Sequence, residues 1–295
     1  MKKIILLLLL PIFIFVGCSN SKQPTGNKEN TTTASVPENP KTESTSEGNK
    51  DNEKPPIKKE DSNKKEASNK NEDLNNTEKE KIKEEKVKKQ TIVIDPGHSN
   101  KSSNSKEPIS PDSKEMKLKD TSGSVGVKTK TPEYETTVSV GLKLKDKLEA
   151  LGYNVILTKD SVSDQMSNIE RTDIGNNSNA DLLIRLHCDA VDTPKAYGAS
   201  MLVPEIRGYV NSDISKKSSK YGKKIIDTYT EKTGIYNRGL VTRSDLTGFN
   251  WSKVPVVLLE LGFISNPKED LFISDPKNHN EIAESIANGI DKCFN

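Results

Sequence analysis

The stretch TIVIDPGH, residues 91–98, is a run of mostly β-branched residues that ends in a proline-glycine turn and a histidine. Its length and composition are those of a strand buried on both faces, as strands inside parallel sheets are. Two further runs have the same form: DLLIRLH, residues 181–187, ends in His187, and VPVVLLE, residues 254–260, ends in Glu260. In an open parallel sheet the carboxyl ends of the strands line one rim, where ligands bind, so His98, His187 and Glu260 are expected to meet there. The chain has three histidines, and two of them stand at these strand ends.

Strand and helix patterns alternate around these runs. The first strand, Thr91 to Asp95, leads into a Ser/Lys-rich loop reaching about Pro132. A helix is expected from Glu133 to Leu151, with apolar residues at Val138, Leu142, Leu144 and Leu148, followed by a strand YNVILT and a helix near Ser167 to Asn177. After the strand ending at His187 come a strand GASMLVP, a long polar helix from Ser212 to Thr233 and a short extended GLVTR. The strand ending at Glu260 precedes a terminal helix from Glu281 to Cys293. This order predicts one α/β domain from Gln90 to Asn295, with a mainly parallel sheet covered by helices on both faces.

The residues before Gln90 have a different character. Met1 to Cys18 reads as a secretory signal: Lys2 and Lys3 precede an apolar stretch from Ile4 to Val16, interrupted by Pro11 and shorter than the roughly 20 residues a spanning helix needs. Phe15-Val16-Gly17-Cys18 resembles a bacterial lipobox, with phenylalanine in place of the usual leucine, which implies acylation of Cys18 and a membrane anchor. The alternative is an ordinary signal peptide with an incidental cysteine. Residues 19–89 are Lys, Glu, Asn, Ser, Thr and Pro with few large apolar groups, so they read as a disordered linker that buries too little surface to offset the entropy of ordering. A flexible tether of about 70 residues has a root-mean-square reach on the order of 45 to 50 Å.

Charge excludes one class of partner. Lys+Arg 45 against Asp+Glu 43 gives +2, with no arginine-aromatic cluster, so nothing points to nucleic acid. Of the remaining cysteines, Cys188 alternates away from His187 and reads as a small core residue. Pairing of Cys188 with Cys293 suits an oxidising compartment, but spacing alone does not place the two within bonding distance.

Glu260 carries the chemistry. It lies between Val256-Val257-Leu258-Leu259 and Leu261-Gly262-Phe263-Ile264, where an unpartnered carboxylate costs several kcal/mol. A nearby dication and a water whose proton the carboxylate accepts supply a reason for it; a structural ion pair with Arg243 or Lys253 is the alternative. Two histidines beside such a glutamate resemble a catalytic zinc site, which takes three protein ligands and leaves one position open. The third donor is assigned to Glu133, at the start of the first helix, with Glu135 as the competitor. No HExxH segment is present, which excludes the common metalloprotease helix.

These motifs together resemble the zinc-dependent N-acetylmuramoyl-L-alanine amidases that cut bacterial cell-wall peptidoglycan. The resemblance spans Gln90 to Asn295 and is carried by VIDPGH, by Glu133 followed by LKLKDKLEALGYNVILTK, by NIERTDIGNNSNADLLIRLHCDA and by VPVVLLELGFISNPKED. It implies one catalytic zinc ion held by His98, Glu133 and His187, with Glu260 as the catalytic acid-base, and it selects Glu133 over Glu135 because the ligand glutamate stands nine residues before Leu142. It also implies that residues 237–253 form part of the cleft wall, with Arg243 gripping a peptide carboxylate. The chain departs from many relatives at Thr137, Lys159 and Arg185-Leu186, where they carry asparagine, arginine and serine-isoleucine; these positions bear on substrate fit and packing, not on the ligands. The expected protein is thus a monomeric, membrane-anchored, extracytoplasmic cell-wall hydrolase. The alternatives are a non-catalytic peptidoglycan-binding lipoprotein, or another zinc hydrolase of the wall, a carboxypeptidase or deacetylase.

Overall fold

Strand β1 (Thr91–Pro96) runs parallel to two neighbours, β4 (Asn154–Leu157) and β5 (Leu182–Asp189), and its residues from Ile92 onward are buried. We describe residues 90–205 and 209–295 of a computed structural model; the expected signal segment, Cys18 and the expected linker lie outside the described residues. The six-stranded sheet has the order β4-β1-β5-β8-β6-β7, completed by β6 (Ala199–Pro204), β7 (Asn237–Arg243) and β8 (Val256–Phe263). All neighbouring pairs are parallel except β6 with β8.

Alternation along these strands builds two cores. Ile92 and Ile94, Leu182 and Ile184, Val257 and Leu259 face the larger one. There they meet helices α1 (Glu133–Ala150), α3 (Ser212–Thr233) and α6 (His279–Phe294) through Leu144, Ile225, Tyr229 and Ile286. Val93, Leu183, Val256 and Leu258 face the smaller one, covered by α2 (Asn168–Asn177) and the short α4 (Thr247–Asn250) through Ile174 and Phe249. The expected sheet with helices on both faces is therefore present as a single α/β domain.

Local chemistry explains the helix ends. Ser167 and Glu170 form a reciprocal capping box at the start of α2, and Gly234 ends α3 in the left-handed conformation at φ 72°. Asn266 caps α5 (Pro267–Ile273), whose first residue is proline.

Several expectations are corrected. The loop reaching Pro132 contains a small antiparallel hairpin, β2 (Lys106–Pro108) with β3 (Met116–Leu118). Leu142 is 38% exposed, because Val138, Val140, Leu144 and Leu148 form the inward stripe of α1. β5 and β8 both continue past His187 and Glu260, so these residues lie inside strands; a register shift follows His187. As expected, Cys188 lies in the larger core, and its pairing with Cys293, which spacing leaves open, is not made: both cysteines are free. Among the described residues no helix is long and apolar enough to cross a membrane.

Candidate metal centre

The turn after β1, the first residue of α1 and the end region of β5 bring His98, Glu133 and His187 together. His98 Nε2 and His187 Nδ1 are 3.1 Å apart, and each lies 3.2 Å from Glu133 Oε1. The donor–donor edge of a tetrahedral site with ordinary zinc–nitrogen and zinc–oxygen distances is about 3.3 Å, so the three atoms form one face of such a tetrahedron. Glu135, the competing acid, is exposed.

Hydrogen bonds around the triad orient its lone pairs. His98 Nδ1 stands 3.0 Å from the Thr121 carbonyl oxygen. Thr121 Oγ1 lies at the same 3.0 Å from Nδ1, but the carbonyl can only accept, so the tautomer that satisfies it carries the proton on Nδ1 and leaves the Nε2 lone pair aimed at the other two donors. Glu133 Oε1 accepts from the Cys188 backbone N–H at 2.9 Å, and Oε2 accepts from Ser124 N–H at 2.9 Å. Burial alone would raise the Glu133 pKa, but hydrogen bonding and charge from His187 and His98 hold it well below the usual carboxylate range. Burial pushes His187 down to about 4, which leaves it neutral, as a ligand must be. Among the described residues its Nε2 is buried without a hydrogen-bond partner.

Two glycines make room for the rings. A Cβ on Gly97 would come within 2.5 Å of His187 Cε1, and one on Gly123 within 2.7 Å of Glu133 Oε2 and His98 Cδ2. His98 itself adopts φ 61°, a left-handed conformation that persists in a non-glycine residue only when its surroundings fix it. Two nitrogens and a carboxylate oxygen, converging with aligned lone pairs and a tailored cradle, fit a divalent cation better than they fit one another.

Glu260 lies opposite His187 on β8. Among the described residues its Oε2 is buried without a hydrogen-bond partner, and neither Arg243 nor Lys253 pairs with it. Burial, then repulsion from Glu133 and Asp189, raises its pKa well above the ordinary value, with Arg243 acting weakly in the opposite sense. It lines a cavity of about 490 Å³ with Asp189, Ser200, Tyr236, Arg238 and Arg243. Arg243 therefore shares the cleft with Glu260, but Nε and Nη2 are already engaged by Asp245 at 2.7 and 2.8 Å. Asp95 is turned away from the triad: it is fully buried and bonds Arg185 Nε at 2.7 Å and Thr158 Oγ1 at 2.7 Å.

Sequence reasoning missed Thr121, Ser124, Asp120 and Arg171, which surround the triad. The one readable signal was Arg171, a cation on the same helical stripe as the core-facing Ile174 of α2.

The fold and this triad define a class. Residues 92–292 match the family model described as N-acetylmuramoyl-L-alanine amidase, and the chain belongs to that family. The probable cell wall amidase LytH of Staphylococcus aureus is 25% identical over 205 residues, 70% of this chain; the chain spans 58% of that relative's length. Ami1, the N-acetylmuramyl-L-alanine amidase of Mycobacterium smegmatis, has the same fold, with a TM-score of 0.62, 23% identity, and coverage of 70% of this chain and 96% of that one. The CwlD amidase of Clostridioides difficile, solved in complex with the GerS lipoprotein, gives a TM-score of 0.56 at 25% identity over 70% and 98% of the two chains.

Proposed function

We propose that this protein hydrolyses the amide bond between N-acetylmuramic acid and L-alanine in peptidoglycan, with one zinc ion held by His98, Glu133 and His187. The observation that carries this reading is the convergence of three correctly oriented donors beside an unpartnered buried carboxylate, in a chain of this family. Bound there, zinc supplies Lewis acidity toward an amide carbonyl and makes water acidic enough to attack near neutral pH.

The chain's own residues do the rest. Glu260 takes a proton from the attacking water and delivers it to the amine nitrogen as the C–N bond breaks, leaving a lactyl carboxylate and a free L-alanine amine. Its raised pKa and the compensating charge of a cation on the neighbouring triad suit a group that both accepts and returns a proton. Thr121 holds the His98 ring, and Ser124 and Cys188 hold Glu133 through backbone N–H groups. Arg243 stands in the cleft wall for a peptide carboxylate, steadied by Asp245.

In this reading residues 1–18 are a lipoprotein signal, residues 19–89 a tether, and residues 90–295 a catalytic body carried by an acylated Cys18 in the zone outside the membrane. The test is mass spectrometry of purified peptidoglycan after digestion. Free glycan with peptides that begin at L-alanine is the expected outcome. Loss of D-alanine or of acetate, or retention of the polymer without cleavage, overturns the assignment in favour of a carboxypeptidase, a deacetylase or a wall-binding protein.

A further inference from the structure

Two buried, charged residues outside the triad enclose the turn that presents His98. Arg171, on α2, and Asp120, in the loop before α1, are 2% and 6% exposed. Arg171 Nη1 donates to the Pro96 carbonyl at 3.0 Å, and Nη2, which makes no hydrogen bond among the described residues, pairs by charge with Asp120 Oδ1 at 3.1 Å. Asp120 Oδ2 in turn accepts from Ser99 Oγ at 2.6 Å, so the pair grips the backbone just before His98 and the side chain just after it.

The same carboxylate also fixes the partner of the His98 ring. Asp120 Oδ1 accepts from Thr121 N–H at 3.0 Å, and it is the Thr121 carbonyl that receives the His98 Nδ1 proton. A closed circuit therefore runs from Pro96 through Arg171, Asp120 and Thr121 to the imidazole. The left-handed His98 backbone at φ 61° needs constraint of this kind, since an unrestrained L-residue leaves that conformation and swings its ring away.

We propose that Arg171 and Asp120 are positioning residues of the metal centre, setting both the backbone conformation and the ring orientation of His98, so that metal affinity depends on them although neither faces the ion. The inference rests on the reading that the triad binds zinc. Partners one shell out from a metal commonly govern affinity by about 10- to 100-fold, and these reach one ligand by two routes.

The test is the Zn²⁺ dissociation constant of the whole chain, measured by chelator competition, for the wild type, Arg171→Lys and Asp120→Asn. Urea unfolding of the metal-free proteins is measured alongside. Ile290→Ala, which truncates a core residue of α6, serves as a variant destabilised for packing reasons alone. Weakening of Zn²⁺ binding by roughly 10- to 100-fold in both charge variants is expected, with Ile290→Ala binding as the wild type does. Visible absorption of the Co²⁺-substituted proteins should differ from the wild type for the charge variants only. Should Arg171→Lys not fold, Asp120→Asn decides, because asparagine keeps an acceptor for Thr121 N–H while removing the charge. Wild-type affinity in a folded charge variant overturns the positioning role and leaves the zinc triad standing, whereas a wild type that binds no Zn²⁺ removes the triad reading itself.

Discussion

His187 on β5 and Glu260 on β8 stand directly opposite one another across a parallel ladder. Strand alternation sends both side chains to the face that also carries Leu183 and Leu258. In the proposed mechanism this pairing would separate holding the metal from moving the proton. Glu260→Gln is expected to keep a full equivalent of zinc while peptide release from peptidoglycan falls by about 10²- to 10⁴-fold. His187→Ala should lose both. Zinc content and peptide release measured on the same samples check this, and an active Glu260→Gln protein would remove the mechanism.

Gly97 lies so close to His187 that a methyl group has nowhere to go. The added Cβ would sit 2.5 Å from the ring and 2.7 Å from the Leu186 carbonyl oxygen. Gly97→Ala is therefore expected to weaken zinc binding by at least about tenfold, the scale on which displaced ligand orientation acts. Isothermal titration of the metal-free protein reads this directly.

Metal binding should also appear as stability. The triad buries a carboxylate against two imidazoles that a cation would neutralise, so zinc binds the folded chain in preference to the unfolded one. At a free concentration about 100 times its Kd, zinc should add about 2.7 kcal/mol to unfolding. Thermal melts with and without a chelator measure the difference, and it should vanish in His98→Ala.

Lys159 is 4% exposed and its Nζ finds no hydrogen-bond partner among the described residues. Burial, then the charge of Arg171, pushes it down to about 8 from 10.5, although Asp95, Asp120 and Asp164 pull the other way. A folded-state pKa below the unfolded one means that its stability contribution is complete above 10.5 and is lost as pH falls through 8. At pH 7 the buried ammonium thus costs stability, and Lys159→Met should raise it by on the order of 2 kcal/mol. The gap should close between pH 8 and 10.5. Urea unfolding across that range tests the sign; a constant gap contradicts it.

The proposed anchor is checked separately. Cys18→Ser should move the protein from the membrane fraction to the soluble one without changing its activity on purified peptidoglycan. Fractionation followed by immunoblotting reads the outcome.

Much of the architecture was legible because three apolar runs carried their own punctuation. TIVIDPGH and VPVVLLE form strands that lie inside the sheet, and Pro132-Glu133 marks the start of α1. The hairpin of β2 and β3 was not, since three-residue polar strands show no periodicity. It is held by distant groups instead: Trp251 Nε1 donates to the Pro108 carbonyl and Asn250 Nδ2 to that of Ile109. The extension of β8 past Glu260 was hidden for a different reason. The run reads as ending at the charged Glu260, yet Gly262, at φ 149°, carries the strand onward, with Phe263 N–H bonded to Glu269. The converging His98, Glu133 and His187 were readable by residue type, but the Arg171–Asp120 clamp was not, because only folding brings α2 beside the loop before α1.

The placement of β1 bears on how the body resists being pulled. The segment before Gln90 joins the domain at the first strand, which is flanked by β4 and β5 and locked at its origin by Asn154 N–H to the Gln90 carbonyl and Asp181 N–H to that of Thr91. Tension entering along that segment drags β1 lengthwise against two ladders at once, so the bonds must rupture together rather than unzip singly. Were the body leashed by this end, it would be braced at its point of attachment, with the turn bearing His98 at the far end of the braced strand.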